Sequence, residues 1–148
     1  MRVSIALILI FLIASCSLIS PPVPPRAFSL ESAMKLPFTG EVTTTEIDSF
    51  MDVEIGGMAV VHGRTVFYGF KFESPSDARK AFKRIISKHI LKLRLIDTPW
   101  FGRFEMSEKG KKLIVWWKDV WMFAIEGDPG EVDELLESLI DTFTALSD

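Results

Sequence analysis

Few residues in this chain of 148 stand in a pattern that performs chemistry. The two histidines, His62 and His89, have no metal-ligand spacing around them, and we interpret each as structural. Asp48, Asp52 and Glu54 alternate along one predicted strand, but a single strand rarely builds a cation site. No GxSxG, HExxH or glycine-rich phosphate-binding motif occurs. The sequence therefore predicts no catalytic residue, no metal and no cofactor, and we do not expect an enzyme.

The single cysteine, Cys16, ends an apolar N-terminal segment, so no internal disulfide is available to the chain. Arg2 gives this segment a positive start, and Val3–Ile13 is almost wholly apolar. Ile13-Ala14-Ser15-Cys16 then places an aliphatic residue and two small residues before the cysteine. This arrangement resembles the lipobox of prokaryotic lipoproteins, and the resemblance covers residues 1–16 only. It implies that residues 1–16 are a lipoprotein signal peptide, with a diacylglycerol joined to the Cys16 thiol and cleavage before that residue.

Two other interpretations of this segment stay open. Val3–Ile19 is 17 residues long, which is the lower limit for crossing a bilayer, so it could remain as an uncleaved anchor. Alternatively, Cys16 is incidental to an ordinary secretory signal. Because Arg2 favours the cytoplasmic side, we expect a lipid-anchored protein at the cell membrane, with its domain on the extracytoplasmic side.

The composition bears on source and partners. The chain contains no Asn and no Gln, residues that hyperthermophile proteins avoid because they are thermolabile, so we predict a thermophilic source. The formal net charge is −3, which becomes −4 without Arg2. This balance argues against general nucleic-acid binding.

A proline-rich segment follows the lipobox. Ser20–Pro25 reads Ser-Pro-Pro-Val-Pro-Pro, which favours a stiff polyproline II conformation. Residues 17–40 are therefore predicted to form an extracytoplasmic stalk, and residues 41–148 to form a single globular domain.

The predicted domain contains an internal duplication. Helix-start signals occur at Ser74-Pro75-Ser76-Asp77 and Asp128-Pro129-Gly130-Glu131, and a shift of 54 residues superposes Pro75 on Pro129. Apolar residues follow each signal at helical spacing. The copies span about residues 41–94 and 95–148.

Each copy is predicted to hold three strands and then the helix. The fold class is α+β: two tandem β-β-β-α units form an antiparallel sheet of about six strands, with the two helices packed on one face. Turns are expected at Gly56-Gly57, Gly63-Arg64, Lys109-Gly110 and Lys118-Asp119. The predicted strands are Ile47–Ile55, Met58–His62, Thr65–Phe72, Phe101–Ser107, Lys112–Trp117 and Val120–Glu126.

The two predicted helices differ in charge. Residues 79–94 carry seven bases and no acid, whereas residues 131–141 carry five acids and no base. If the helices lie side by side, the two faces attract each other. A second interpretation is that the basic helix rests on anionic lipid headgroups near the tether.

The sheet face away from the helices is predicted to be rich in aromatic side chains. Trp116 and Trp121 would pair directly across a hairpin, and such an apolar patch, if exposed, marks a binding surface. Three alternatives stay open: residues 26–40 fold back over this face, the face is a homodimer interface, or a one-residue register slip exchanges the faces. The candidate ligand or partner surface consists of Trp116, Trp121, Phe123, Tyr68 and Phe70.

These observations give a functional hypothesis. The chain is expected to be a membrane-tethered, noncatalytic domain that binds or scaffolds another envelope protein, or a second copy of itself, through the aromatic face. The alternative is a binder or carrier of an apolar small molecule or lipid on the same face.

Overall fold

The computed structural model describes residues 21–89 and 94–146, which form an α+β domain. Each strand pairs antiparallel with its neighbours in one seven-stranded sheet, in the order β1-β2-β3-β7-β6-β5-β4. The strands are β1 (Thr44–Phe50), β2 (Val53–His62), β3 (Thr65–Lys71), β4 (Arg94–Asp97), β5 (Phe101–Glu108), β6 (Lys111–Lys118) and β7 (Trp121–Gly127). The helices are α1 (Leu30–Lys35), α2 (Pro75–His89) and α3 (Pro129–Leu146).

The strand count exceeds the prediction of about six by one, because β4 precedes the three predicted strands of the second β-β-β-α unit. Residues up to Arg94 were predicted to continue the basic helix, but Arg94 begins this edge strand, which pairs only with β5. The predicted residues Ile90, Lys92 and Leu93 of that helix lie outside the described part of the chain. The internal duplication itself stays a prediction.

The predicted turn at Gly56-Gly57 is wrong, because both glycines lie inside β2. The chain reverses at Met51-Asp52 instead, where both residues have positive φ (48° and 64°), as a type I′ hairpin turn requires. Between the pairs Ile47–Gly57 and Ser49–Glu54, one residue of β1 faces two of β2, which is a β-bulge. A Cβ at Gly57 would overlap the Phe70 ring. The glycine pair therefore marks a bulge and a close approach.

The turns at Gly63-Arg64 and Lys109-Gly110 are confirmed by the pairs that flank them, His62–Thr65 and Glu108–Lys111. The last hairpin turns one residue later than predicted, at Asp119-Val120. Trp116 consequently faces Phe123 across the hairpin, so the predicted Trp116–Trp121 pair is wrong.

Both helix-start predictions are confirmed. Pro75 and Pro129 are the first residues of α2 and α3, and the Ser74 hydroxyl accepts a hydrogen bond from the Asp77 amide at 3.2 Å. The prediction that both helices cover one face is wrong. α2 packs with Phe82 and Ile85 on one face, and α3 packs with Leu139 on the other.

The sheet therefore separates two cores. The α2-side core includes Phe70, Phe104, Val115 and Trp117, and the α3-side core includes Phe67, Trp116, Phe123 and Ile125. Strands β6 and β7 are buried on both faces. Such strands read as continuous apolar runs, as Leu113–Trp117 and Trp121–Ile125 do.

The predicted stalk is wrong for residues 21–40, which pack on the sheet. Ser29 caps α1 by accepting a hydrogen bond from the Ser32 amide at 3.1 Å, and Met34 is fully buried in the α3-side core. The fold-back of residues 26–40, one of the three alternatives for the aromatic face, is thus confirmed. Residues 17–20 of the predicted stalk lie outside the described residues. None of the described helices is long and apolar enough to cross a membrane.

Replacing Gly69 with Ala is expected to lower the free energy of unfolding by about 1–3 kcal/mol. A Cβ on Gly69 would overlap Met34 Sδ and lie 3.2 Å from a Leu30 methyl, so the buried Met34 side chain would have to repack or α1 would have to move away from β3. Denaturant titration measures the change. Gly56→Ala is the matched control, because a Cβ there meets nothing within 4 Å. Equal losses in the two variants would contradict this packing of α1.

Candidate functional site

Three of the five residues predicted to form an exposed aromatic surface are buried together. Trp116, Trp121 and Phe123 are at most 1% exposed in the α3-side core. Phe123 lies at their centre, with ring centroids 5.6 Å from Trp121 and 5.3 Å from Phe143 of α3. Because α1 and α3 cover this face, these aromatic residues stabilise the fold and present no surface to a partner.

The other two residues lie on the opposite face. Phe70 is fully buried in the α2-side core, 5.3 Å from the Phe50 ring. Tyr68 is half-buried, and its hydroxyl donates a 3.5 Å hydrogen bond to Glu126. Burial and the neighbouring Glu126 carboxylate both raise the pKa of Tyr68. The five predicted residues are therefore divided between two faces, because Phe67 and Gly69 of β3, rather than Tyr68 and Phe70, share a face with Phe123.

The other residues considered for chemistry do not converge. His62 packs 4.9 Å from the Phe38 ring, and His89 Nε2 lies 3.2 Å from the Met51 carbonyl oxygen and 3.9 Å from Asp52. Within residues 21–89 and 94–146, no three His, Cys, Asp or Glu side chains are grouped so that they could hold a metal ion. Cys16 lies outside the described residues, so its lipid attachment stays a prediction.

One hollow of about 380 Å³ lies between α3 and the strands β5 and β6. Four of its charged side chains are paired: Arg103 contacts Glu105 at 2.7 Å, and Lys112 contacts Asp133 of α3 at 2.8 Å. The Lys112–Asp133 pair connects the sheet to α3, and Glu137 of α3 also lines the hollow.

The exposed apolar side chains point to a different surface. Leu95 and Ile96 on the edge strand β4 are 41% and 37% exposed, and Trp100 in the following turn is 77% exposed. The turn is fixed by hydrogen bonds between Thr98 and Phe101, with the Thr98 amide donating to the Phe101 carbonyl at 3.0 Å. Trp100 is therefore held outward on an ordered turn.

This apolar edge adjoins the basic helix α2. Lys83 Nζ lies 3.6 Å from Asp97 Oδ2 at the end of β4, and Arg79 lies one helical turn earlier on the same flank. Lys80 and Lys83 are exposed. We define the β4 edge surface as the group Leu95, Trp100, Arg79, Lys80 and Lys83, because Ile96 pairs with Arg103 and faces the α3 side of the sheet. The sequence analysis missed its apolar part, although the four-residue run Arg94–Asp97 before a Thr-Pro turn is a short-strand signal.

The charges of the two long helices lie on opposite sides of the sheet. α2 carries Arg79, Lys80, Lys83, Arg84 and Lys88, and α3 carries Glu131, Asp133, Glu134, Glu137 and Asp141. The interpretation that these helices lie side by side and attract each other is therefore wrong. The basic face of α2 and the acidic face of α3 both remain directed toward solvent.

An ion pair and backbone hydrogen bonds hold the N-terminal end of the described chain near the β4 edge surface. Arg26 makes a two-point ion pair with Asp119 in the β6–β7 turn, at 2.8 Å from Nε and 2.5 Å from Nη2. Lys71 Nζ donates to the carbonyl oxygens of Arg26 and Phe28, at 2.6 and 2.7 Å. Phe101 pairs with Lys118, so the β4–β5 and β6–β7 turns lie at the same end of the sheet.

Replacing Arg26 with Ala is expected to raise the pKa of Asp119 toward its usual value of 3.8. The hydrogen bond and charge of Arg26 hold the pKa of that carboxyl below this value in the folded protein. The lowered pKa means that the pair stabilises the fold above pH 3.8 and stops doing so as the pH falls through the folded-state pKa. A carboxyl NMR titration measures the shift.

The control for that titration is Arg64→Ala. Arg64 pairs with Asp128 at the opposite end of the sheet, at 3.4 Å, so its loss should leave the pKa of Asp119 unchanged. An Asp119 titration that is the same with and without Arg26 would contradict the ion pair.

The chain can now be compared with known proteins. No curated protein matches it. Among solved structures it is similar to a GTP binding regulator from Thermotoga maritima, with a TM-score of 0.71 and 28% sequence identity, over 84% of this chain and 93% of that chain. A family model described as a protein of unknown function, DUF3242, matches residues 25–146, which span the folded domain. The chain therefore belongs to the DUF3242 family.

Proposed function

We propose that this protein is a membrane-tethered extracytoplasmic lipoprotein whose domain binds or scaffolds without catalysing a reaction. The observation that carries the proposal is the N-terminal segment ending in Ile13-Ala14-Ser15-Cys16. The family match starts at residue 25, so this segment lies outside the matched residues. The proposed protein thus consists of an export signal, a lipid-attachment cysteine and a folded domain.

The folded domain starts close to Cys16, which changes the predicted distance between the lipid and the domain. Residues 21–40 pack on the sheet, so only five peptide units join Cys16 to Pro21. A fully extended chain of that length reaches at most about 18 Å, whereas a domain of this size is roughly 35 Å across. A lipid on Cys16 would thus hold the domain close to the headgroups, rather than raise it on a stalk.

The burial of the aromatic residues changes the proposed binding surface. Trp116, Trp121 and Phe123 are covered by α1 and α3, so an apolar ligand or an envelope protein would have to displace part of the core to reach them. Apart from Val61 on β2, the exposed large apolar side chains of the described residues lie on β4 and the turn that follows it, and this region remains for a partner, whether that is a membrane, an envelope protein or a second copy.

A guanine nucleotide is the second candidate ligand, because the similar Thermotoga maritima protein is called a GTP binding regulator. Helix N-termini attract phosphate through their free amides and positive dipole ends. Both long helices here carry an acid in the first turn, Asp77 in α2 and Glu131 in α3, and these carboxylates repel phosphate. The local charge therefore favours the tethered module over a nucleotide-binding protein.

Lipidation of Cys16 is tested by mass spectrometry of the N-terminal peptide of the membrane-extracted protein. We expect a peptide that starts at Cys16 and carries a diacylglycerol, and Cys16→Ser should abolish this peptide because only a thiol forms the thioether. Ser15→Ala is the matched control, since it keeps a small residue before the cysteine. An unmodified thiol at Cys16 would disprove the lipoprotein proposal. A chain that retains Met1 would then indicate the uncleaved anchor.

Nucleotide binding is tested by thermal unfolding in the presence of GTP and Mg²⁺, with ATP as the control. A ligand at about 100 times its Kd adds about 2.7 kcal/mol to the free energy of unfolding, so binding would raise the Tm. We expect the same Tm with GTP, with ATP and without nucleotide. A rise with GTP alone would favour a guanine-nucleotide function.

A further inference from the structure

The β4 edge surface combines exposed apolar side chains with exposed lysines. Trp100 is 77% exposed on a turn held by hydrogen bonds, and the exposed Leu95 lies on the strand before it, on the α2 side of the sheet. Lys80 and Lys83 of α2 lie along the same edge, and Lys83 contacts Asp97 at the end of β4. Indole rings favour the boundary between headgroups and acyl chains, and lysines favour anionic headgroups.

Bases outnumber acids along the part of α2 that lies beside Trp100. Asp97 and Asp119 are paired with Lys83 and Arg26, and this end of the sheet also carries the exposed bases Lys71, Lys80 and Lys118 and the exposed acids Glu73 and Asp77. α3 begins at the far end of β7, so the acids of its first turns lie at the opposite end of the sheet, where Lys109 and Lys111 are also exposed. The local excess of bases on α2, Arg79, Lys80 and Lys83 against Asp77, would attract an anionic membrane to the Trp100 side.

The attachment of the chain agrees with this orientation. Arg26 is fastened to the β6–β7 turn, which lies beside the β4–β5 turn that carries Trp100. Ten peptide units join Cys16 to Arg26, and those from Pro21 onward pack on the sheet. A fully extended chain of ten units spans at most about 36 Å, which is about the width of the domain, so a lipid on Cys16 permits this end to face the bilayer.

We propose that the β4 edge surface docks on a bilayer containing anionic lipid, with Trp100 inserted at the headgroup boundary and Lys80 and Lys83 on the headgroups. This inference rests on the proposed lipid tether for its local concentration, and it adds an orientation. The acidic face of α3 would then point away from the membrane. A second copy pairing along the open edge of β4 is the competing occupant.

The test uses the full protein, extracted from membranes and mixed with vesicles of phosphatidylcholine alone or of phosphatidylcholine and phosphatidylglycerol in equal parts. Brominated acyl chains in the vesicles quench tryptophans that enter the bilayer. Trp116, Trp117 and Trp121 are at most 1% exposed, so the quenching reports on Trp100, and Trp100→Phe gives the background. Flotation with the vesicles reports separately on attachment.

We expect the fluorescence of Trp100 to be quenched on the anionic vesicles. In the double variant Lys80→Glu, Lys83→Glu, this quenching should fall about tenfold. The matched control is Lys109→Glu, Lys111→Glu, which makes the same charge change on two exposed lysines at the opposite end of the sheet. This control should keep the quenching of the unaltered protein.

The outcomes separate the tether from the docking surface. If the protein floats with both kinds of vesicle and no quenching occurs, the docking proposal is overturned and the tether is supported. If flotation and quenching occur with the anionic vesicles alone, the docking is supported and the tether is overturned. Absence of flotation on both overturns both. Equal loss of quenching in the two double variants, or a crosslinked dimer through β4 in place of quenching, also overturns the docking.

Discussion

The central constraint on this domain is that its sheet is apolar on both faces at its centre. In β6 and β7 the side chains of each face are buried, so water is excluded from both sides and each side requires a covering layer. Phe123 and Trp116 on one face need α1 and α3, and Trp117 and Met122 on the other need α2. Burial of these large side chains supplies much of the free energy that orders the chain.

The placement of the charged helices follows from this constraint. Because each face needs its own helix, the basic α2 and the acidic α3 lie on opposite sides of the sheet and do not neutralise each other. The same constraint draws residues 21–40 onto the sheet, since α3 covers mainly β6 and β7 and leaves β2 and β3 to α1. The domain is thus charged differently on its two sides and begins only a few residues after Cys16.

The proposed membrane tether would place this domain in asymmetric surroundings. A membrane offers negative charge and an apolar boundary on one side and water on the other. The exposed Trp100 and the bases of α2 would suit the first, and the acids of α3 would suit the second. The DUF3242 match, over residues 25–146, covers the folded domain and not the N-terminal segment that precedes it.

The local signals of the sequence determined much of the secondary structure. The caps before Pro75 and Pro129, and the glycine turns at residues 63–64 and 109–110, depend on backbone geometry that neighbouring residues specify. The Gly56-Gly57 turn was misplaced because glycine serves a bulge and a close contact as readily as a turn, and only the position of Phe70 distinguishes these uses.

The faces, by contrast, were decided by the tertiary structure. A shift of one residue in a strand exchanges its two faces, so the grouping of Tyr68 and Phe70 with Trp116 depended on the β3–β7 pairing between the two units, which no local turn specifies. Neither helix amphipathicity nor strand pattern states which side of a sheet a helix covers. The sequence by itself determined the starts of α2 and α3 and the hairpin turns at residues 63–64 and 109–110, because these depend on adjacent residues. Only the packed structure decided that the aromatic residues are core and that Trp100 is surface, because burial depends on residues far apart in the chain.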